Sequence, residues 1–269
     1  MFKNITTAAS LAVLLSTAPA LADGHAKPYT WTGVYLGVHG GQAFGGDAAW
    51  TFQDHLDADD NKDNASDRNG QNCEDVKNDG CDVTIGLDDS AVFGGHIGVQ
   101  RQFGRVVAGF ELSYTALDLE GTAQPNEFIP NTDIDADDVH TTTVSDLFTV
   151  AAKLGYVLGN KGRWLVYGKA GVAIADVATE IDDAVPFNNG SRLGNGKDDQ
   201  NHIGFLAGLG VEYMLTRNIV VGAEYNFMTF GSETHKHTFV NEGVENDTVT
   251  DDIQIDDIQT IKARIGVKF

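Results

Sequence analysis

Apolar residues recur at every second position in eight separate runs of this chain. Period two is the signature of a β-strand with one apolar face. In 31–44, Val34, Leu36 and Val38 share one face while Gly33, Tyr35, Gly37 and His39 share the other. In 91–103, Phe93, Ile97, Val99 and Phe103 oppose His96, Gly98 and Gln100. The run from Val106 sets Ala108, Phe110, Leu112 and Tyr114 against Gly109, Glu111 and Ser113. In 144–158, Phe148, Val150, Leu154 and Tyr156 oppose Thr149, Lys153 and Gly155. The same alternation appears in 164–178, with Tyr167 and Lys169 on the less apolar face, and in 203–215, with Glu212 there. It continues in 219–230, with Glu224 and Asn226, and in 258–269, with Lys262, Arg264 and Lys268.

The connections alternate in length. Short turns at Gly104-Arg105, Gly159-Asn160-Lys161-Gly162 and Thr216-Arg217-Asn218 alternate with long segments at 45–89, 117–143, 181–201 and 233–257. All five prolines fall outside the eight runs, as ladder hydrogen bonding demands. Residues 82–87, DVTIGL, offer a further short strand inside the first long segment. The less apolar face is rich in glycine and carries isolated charges of both signs. Near the short turns lie Phe103, Tyr156, Trp164, Tyr213 and Phe269, an arrangement like one aromatic girdle of a membrane barrel. Trp31 sits at that level too, but its parity assigns it to the other face. Lipid cannot satisfy an open sheet edge, so a spanning sheet must close. The expectation is an all-β protein: an eight-stranded antiparallel up-and-down transmembrane β-barrel over 23–269. Its short turns would face the periplasm and its four long acidic loops the outside.

The N-terminus supports export. Lys3, the apolar run Ala8–Leu15 and the small-x-small triad Ala20-Leu21-Ala22 form the plan of a signal peptide over 1–22. No later segment has the 18-residue apolar run of a spanning helix. The formal charge of -21 argues against nucleic acid as a partner. The four long segments hold 32 of the 39 acidic residues and six of the 18 basic ones, whereas the short turns carry Arg101, Arg105, Lys161, Arg163 and Arg217. The two ends of the fold are therefore built for different surroundings. In an oxidising compartment Cys73 and Cys81 read as a disulfide closing a small ring within the first long segment.

The motifs WTGVYLGVHGG (31–41), FGGHIGVQRQFG (93–104), LGYVLGNKGRWLVYGKAGVA (154–173), GLGVEYMLTRN (208–218) and VGAEYNFMTFG (221–231), with a terminal Phe269, cover every proposed strand. In this order they resemble the small porin-like outer-membrane β-barrel proteins of Gram-negative bacteria, relatives of the OmpA transmembrane domain. The resemblance implies a monomer in contact with outer-membrane lipid and lipopolysaccharide. It also implies that Phe269 belongs to a signal read by the outer-membrane insertion machinery. The ending RIGVKF and the length of the acidic segments depart from the family pattern.

Several residues carry candidate chemistry. Glu111, Glu212 and Glu224 share the inward face with Lys153, Lys169, Lys262 and Arg264. An eight-stranded barrel is only wide enough for side chains to fill, so these charges either pack as ion pairs or rearrange as a gate. His39 and His96 face inward on neighbouring strands with Glu111 one strand further, as hydrogen-bonded lumen residues or as a metal or acid–base site. Asp59, Asn61, Asp63 and Asp67 suggest loose divalent-cation binding. An EF-hand is ruled out because Asn64 and Gly70 stand where glycine and glutamate are required. His235-Lys236-His237 lies in the last long segment, and the resemblance implies that such histidines can take haem at the surface. No serine–histidine pair is in register on the lipid face. The resulting expectation is a non-enzymatic protein without a cofactor, with a structural or surface-interaction role. Alternatives are a low-conductance pore, or capture of haem or divalent cations.

Overall fold

The computed structural model describes residues 29–56, 62–64, 82–123, 139–182, 195–241 and 244–269. Its elements are all strands: β1 (Gly33–Phe44), β2 (Asp47–Leu56), β3 (Lys62–Asn64), β4 (Asp82–Gly86), β5 (Ser90–Phe103), β6 (Val106–Ala123), β7 (Val139–Leu158), β8 (Trp164–Asp182), β9 (Asn195–Met214), β10 (Ile219–Phe230), β11 (Ser232–Asn241), β12 (Val244–Ile255) and β13 (Ile258–Lys268). The eight predicted runs are β1, β5 to β10 and β13. They pair antiparallel in the order β1-β5-β6-β7-β8-β9-β10-β13, and β13 pairs back to β1, closing an eight-stranded ring. Closure leaves that ring without a free edge. Gly104 and Gly159 take left-handed backbone conformations in the short turns, with φ of 64° and 76°.

The long segments differ from the expectation. Their described parts are mostly strand, not loop. β6 to β9 run well past the ring, and β11, β12, β2 and β4 line up beside them in the order β9-β11-β12-β2 with β4 on β2. The chain just after β4 returns to β6 through Asp88 N–H donating to the Glu120 carbonyl at 2.9 Å. The result is a second ring, here called the head, stacked on the first and sharing its four longest strands. The predicted strand in 82–87 is β4. The extension escaped the apolar pattern because its outward residues meet water and many of its inward ones are His or Thr. Residues 232–237 alternate between exposed and less exposed positions, but without the apolar signal.

The outer surface of the lower ring is a continuous apolar belt. Phe93, Phe110, Leu154, Phe205 and Leu209 are each more than half exposed. Phe103, Tyr156, Trp164 and Phe269 mark its short-turn edge. On β8 the belt runs from Trp164 to Ile174, ten residue steps or about 33 Å along the strand at 3.3 Å per residue. At the usual tilt that matches a lipid-facing band about 25 Å tall. Above it the outward positions turn acidic: Asp118, Glu120, Asp176 and Asp199. The apolar face therefore points to lipid and the glycine-rich face to the lumen. Trp31 is fully buried inside, on the face its parity assigned. Inward glycines make room for ring stacking across strands. A Cβ on Gly98 would fall 2.4 Å from the Tyr35 ring, and one on Gly210 would fall 2.3 Å from the Tyr167 ring.

Candidate functional site

The interior is built in four layers, and the same order can be read along each wall. At the short-turn end Trp31 packs with Val107, Val157, Leu165, Tyr167 and Met214. Trp31 is pinned by its indole N–H donating to the Gly162 carbonyl at 3.0 Å and by its backbone N–H donating to Gln102 Oε1 at 2.8 Å. Next comes a charged layer. Above it lies an apolar layer that includes Val92, Leu117, Leu147, Ala173, Leu206, Met228 and Ile258. The head encloses a fourth layer, of histidines.

All seven predicted lumen charges lie in the charged layer and are buried. Arg264 on β13 pairs with both Glu111 on β6 and Glu224 on β10. Lys169 on β8 pairs with the same two carboxylates, at 3.2 and 2.7 Å. These four residues form a closed square of alternating sign that ties four strands across the lumen. Lys153 pairs with Glu212 at 2.8 Å and stands 3.9 Å over the Tyr167 ring. Tyr35 donates to Glu111 at 3.0 Å and Tyr167 to Glu224 at 2.8 Å. Lys262 donates to Thr115 Oγ1 at 3.2 Å. Most of the remaining oxygen and nitrogen valences are thus filled, as a buried charge requires. A cavity of about 20 Å³ bordered by Tyr35, His96, Glu212 and Arg264 is room for roughly one water.

His39 and His96 stack with ring centroids 5.7 Å apart, and their Nδ1 atoms are 3.5 Å apart. His39 Nε2 lies 2.9 Å from Thr115 Oγ1. Glu111 does not join them; it is engaged by Arg264, Lys169 and Tyr35. Among the described residues no group of three or more His, Cys, Asp or Glu is arranged to hold a metal ion.

The fold corrects the surface placement that the sequence implies for His235 and His237. Both imidazoles are fully buried in the head, and the intervening Lys236 is the exposed one. They are inward positions of β11, two residues apart, as strand alternation dictates. No face of either ring is open to a surface haem. His237 Nδ1 lies 3.0 Å from Asp251 Oδ2 on β12. Trp50 stacks on His237 at 5.3 Å between centroids and meets His140 edge-on at 5.0 Å. His235 Nε2 lies 2.9 Å from His202 Nε2. Burial lowers the pKa of His235 to about 4 and that of His140 to about 3. It raises that of Asp251. Sequence reasoning missed His140, Thr179, His202 and Asp251 as partners. Only the head topology brings β7, β8, β9 and β12 around β11.

Phe269 is exposed at the short-turn end, where its backbone N–H donates to the Val34 carbonyl at 2.8 Å. Cys73, Cys81, Asp59, Asn61, Asp67 and the leader 1–22 lie outside the described residues. Asp63 is in β3, opposite His55.

The family described as "Outer membrane protein beta-barrel domain" matches residues 8–269. The 31 kDa outer-membrane immunogenic protein of Brucella melitensis is 28% identical over 247 residues, which cover 86% of this chain and 83% of that protein. The protein of the same description from Brucella suis matches to the same extent. Among solved structures, the outer membrane protease OmpT from Escherichia coli aligns over 91% of this chain and 99% of its own, with 10% identity and a TM-score of 0.51. That likeness is one of fold alone.

Proposed function

Because the chain belongs to the outer-membrane β-barrel family, and is therefore an outer-membrane protein of a Gram-negative bacterium, we propose that it serves as a closed, non-enzymatic barrel that displays its acidic head at the cell surface. The observation that carries this reading is the order of the interior layers. A charged layer that could carry ions is capped below by Trp31 and its neighbours and above by the Leu206–Met228–Ile258 layer. An ion crossing the lumen would have to leave its water in both. The cost of desolvating a charge there is large unless it is paired. The description of the Brucella relatives as immunogenic supports a role at the exposed surface. The His237–Asp251 pair is fully buried among the described residues.

The role at the surface is structural or adhesive, with lipopolysaccharide and the divalent cations that bridge it as the chemically matched neighbours of the acidic outward positions. Planar-bilayer recording on refolded protein tests the reading. Silence at moderate voltage is expected. A steady ohmic current would overturn it in favour of a low-conductance pore.

A further inference from the structure

We propose that Asp251, His237, Thr179, His235 and His202 form one continuous proton relay that latches the β9–β11 seam of the head and releases it on acidification. The seam needs a latch. β11 pairs with β9 through a single backbone position, Thr238 with Lys197, whereas β8 pairs with β9 along the whole of its length. The side chains that cross the seam are the relay and Asp198, which accepts the Lys236 backbone N–H. His235 and His237 from β11 reach Thr179 on β8 and His202 on β9, and Asp251 on β12 closes the far end.

The distances order the protons. Asp251 Oδ2 stands 3.0 Å from His237 Nδ1, an ion-pair approach that a small turn of either side chain makes a hydrogen bond, and His237 Nε2 is 2.9 Å from Thr179 Oγ1. Thr179 Oγ1 is 3.0 Å from His235 Nδ1, and His235 Nε2 is 2.9 Å from His202 Nε2. His202 Nδ1 ends the chain at the Gly231 carbonyl, 3.3 Å away, next to the bend between β10 and β11. Each step but the last joins two groups able both to give and to take a proton. In one arrangement the Asp251 carboxyl donates to His237 Nδ1, His237 Nε2–H to Thr179, Thr179 O–H to His235 Nδ1, and His235 Nε2–H to His202 Nε2. His202 Nδ1–H donates to Gly231. Moving every shared proton one place leaves an Asp251 carboxylate and a His202 imidazolium, with the same five protons and every link still made. Removing one proton instead leaves one of the five links without a proton, and where that link is His235–His202 two lone pairs face each other at 2.9 Å. Adding one leaves a net positive charge in a buried space, which is costly without a partner. The closed head therefore holds one proton number.

Other ionisable groups surround the relay. His140 faces it from β7, Asp198 from β9, Glu233 from β11 and Asp252 from β12; β2 presents Trp50. Asp198 Oδ2 is 3.5 Å from His235 Nδ1, and it also accepts the Lys236 backbone N–H at 3.0 Å and the Gln200 amide at 3.1 Å. It moderates a charge on His235 without supplying a second buried carboxylate.

Linkage sets the sign. An opened seam exposes imidazoles that protonate near the ordinary value of 6.5, whereas His235 in the closed head protonates only near 4. Between those values the open form binds more protons, so falling pH favours opening. Each excess proton changes the opening equilibrium tenfold per pH unit.

Hydrogen exchange on refolded full-length protein in micelles, corrected for the intrinsic pH dependence of exchange, reads this directly. Protection of 196–202 and 232–238 is expected to fall at least tenfold per unit from about pH 6 to 5, while 221–228 in the lower ring keeps its protection. In a His202→Gln/His235→Gln variant, shown to be folded by its unboiled gel mobility, that pH dependence should disappear. Flat protection in the wild type, equal loss in both rings, or an unchanged transition in the variant would overturn the latch. Nitrogen NMR of labelled histidines tests the relay without substitution. The tautomers of His202, His235 and His237 should switch together, and rings titrating one by one near pH 6.5 would refute it.

Discussion

The two polar layers inside this barrel solve the same problem in opposite ways. The charged layer of the lower ring cancels full charges at short range, with Arg264 and Lys169 each bridging Glu111 and Glu224. The histidine layer of the head avoids full charge and relies on groups that can donate or accept. Groups of the first kind pair at short range and make a strong cross-tie. Groups of the second kind can exchange protons with one another and make a conditional one. The difference matches the backbone around them. The lower ring is paired on every side, whereas the head closes through one backbone position between β9 and β11 and through the Asp88–Glu120 hydrogen bond beside β4.

The sharpest way to break this contrast is Arg264→Ala. Loss of one partner from a buried pair costs about 3–5 kcal/mol, and here two carboxylates lose a partner at once. Urea unfolding of the refolded protein should show a loss at or above the top of that range, with Arg264→Lys retaining part of the stability. A loss below about 1 kcal/mol, the level of a solvent-exposed pair, would mean that water reaches the square and screens it. Next in size is Met228→Ala, in the apolar layer between the two polar ones. Truncating a fully buried Met costs about 2–5 kcal/mol, and Met228 is 1% exposed. If this layer alone seals the upper lumen, the variant should also show brief current steps in bilayers where the wild type is silent.

A smaller effect is expected from His140→Phe. Burial holds His140 neutral down to about pH 3, against an ordinary value near 6.5. A group whose folded pKa is lowered costs stability as pH falls through that interval, because the unfolded chain takes up the proton first. Replacing His140 should make unfolding less steep in pH between 6 and 4 while changing little at pH 7.5. The same pH profile recorded on Arg264→Ala should keep the wild-type slope in that interval if the head alone is responsible.

The lower ring was legible because lipid and lumen impose opposite demands on alternate residues. Phe110 beside Glu111 and Val166 beside Tyr167 cannot be read any other way once eight such runs appear. The seven lumen charges were legible for the same reason, since parity alone put them on one face. Their partners were not, because Arg264 meets Glu111 across 153 positions of sequence and several strands. The head was hidden. Its strands face water outside and mixed His, Thr and Ile inside, so an apolar moment of period two fades where the backbone pattern continues. His235 and His237 carried the signal, two inward positions separated by an exposed lysine, but that spacing fits a loop motif equally well until β11 is known to be a strand.

The smallest expected effect separates the head from the segment that leads into it. Cys73 and Cys81 fall between β3 and β4, both of which pair with β2. A disulfide across a ring of this size stabilises a fold by about 2–3 kcal/mol in the chain-entropy account. It does so only to the extent that the folded protein holds the two ends closer than the unfolded chain would. The head already anchors the chain beyond Cys81 through five β2–β4 positions and the Asp88–Glu120 hydrogen bond. These anchors lie outside the ring that the disulfide would close. Cross-linking therefore adds little to them, and Cys73→Ser/Cys81→Ser should change the unfolding free energy by less than about 1 kcal/mol. Gel mobility before and after boiling should be unchanged. A loss of about 2–3 kcal/mol, or a head that loses exchange protection along β2 and β4, would show instead that residues 65–81 are part of the wall that keeps the histidine layer dry.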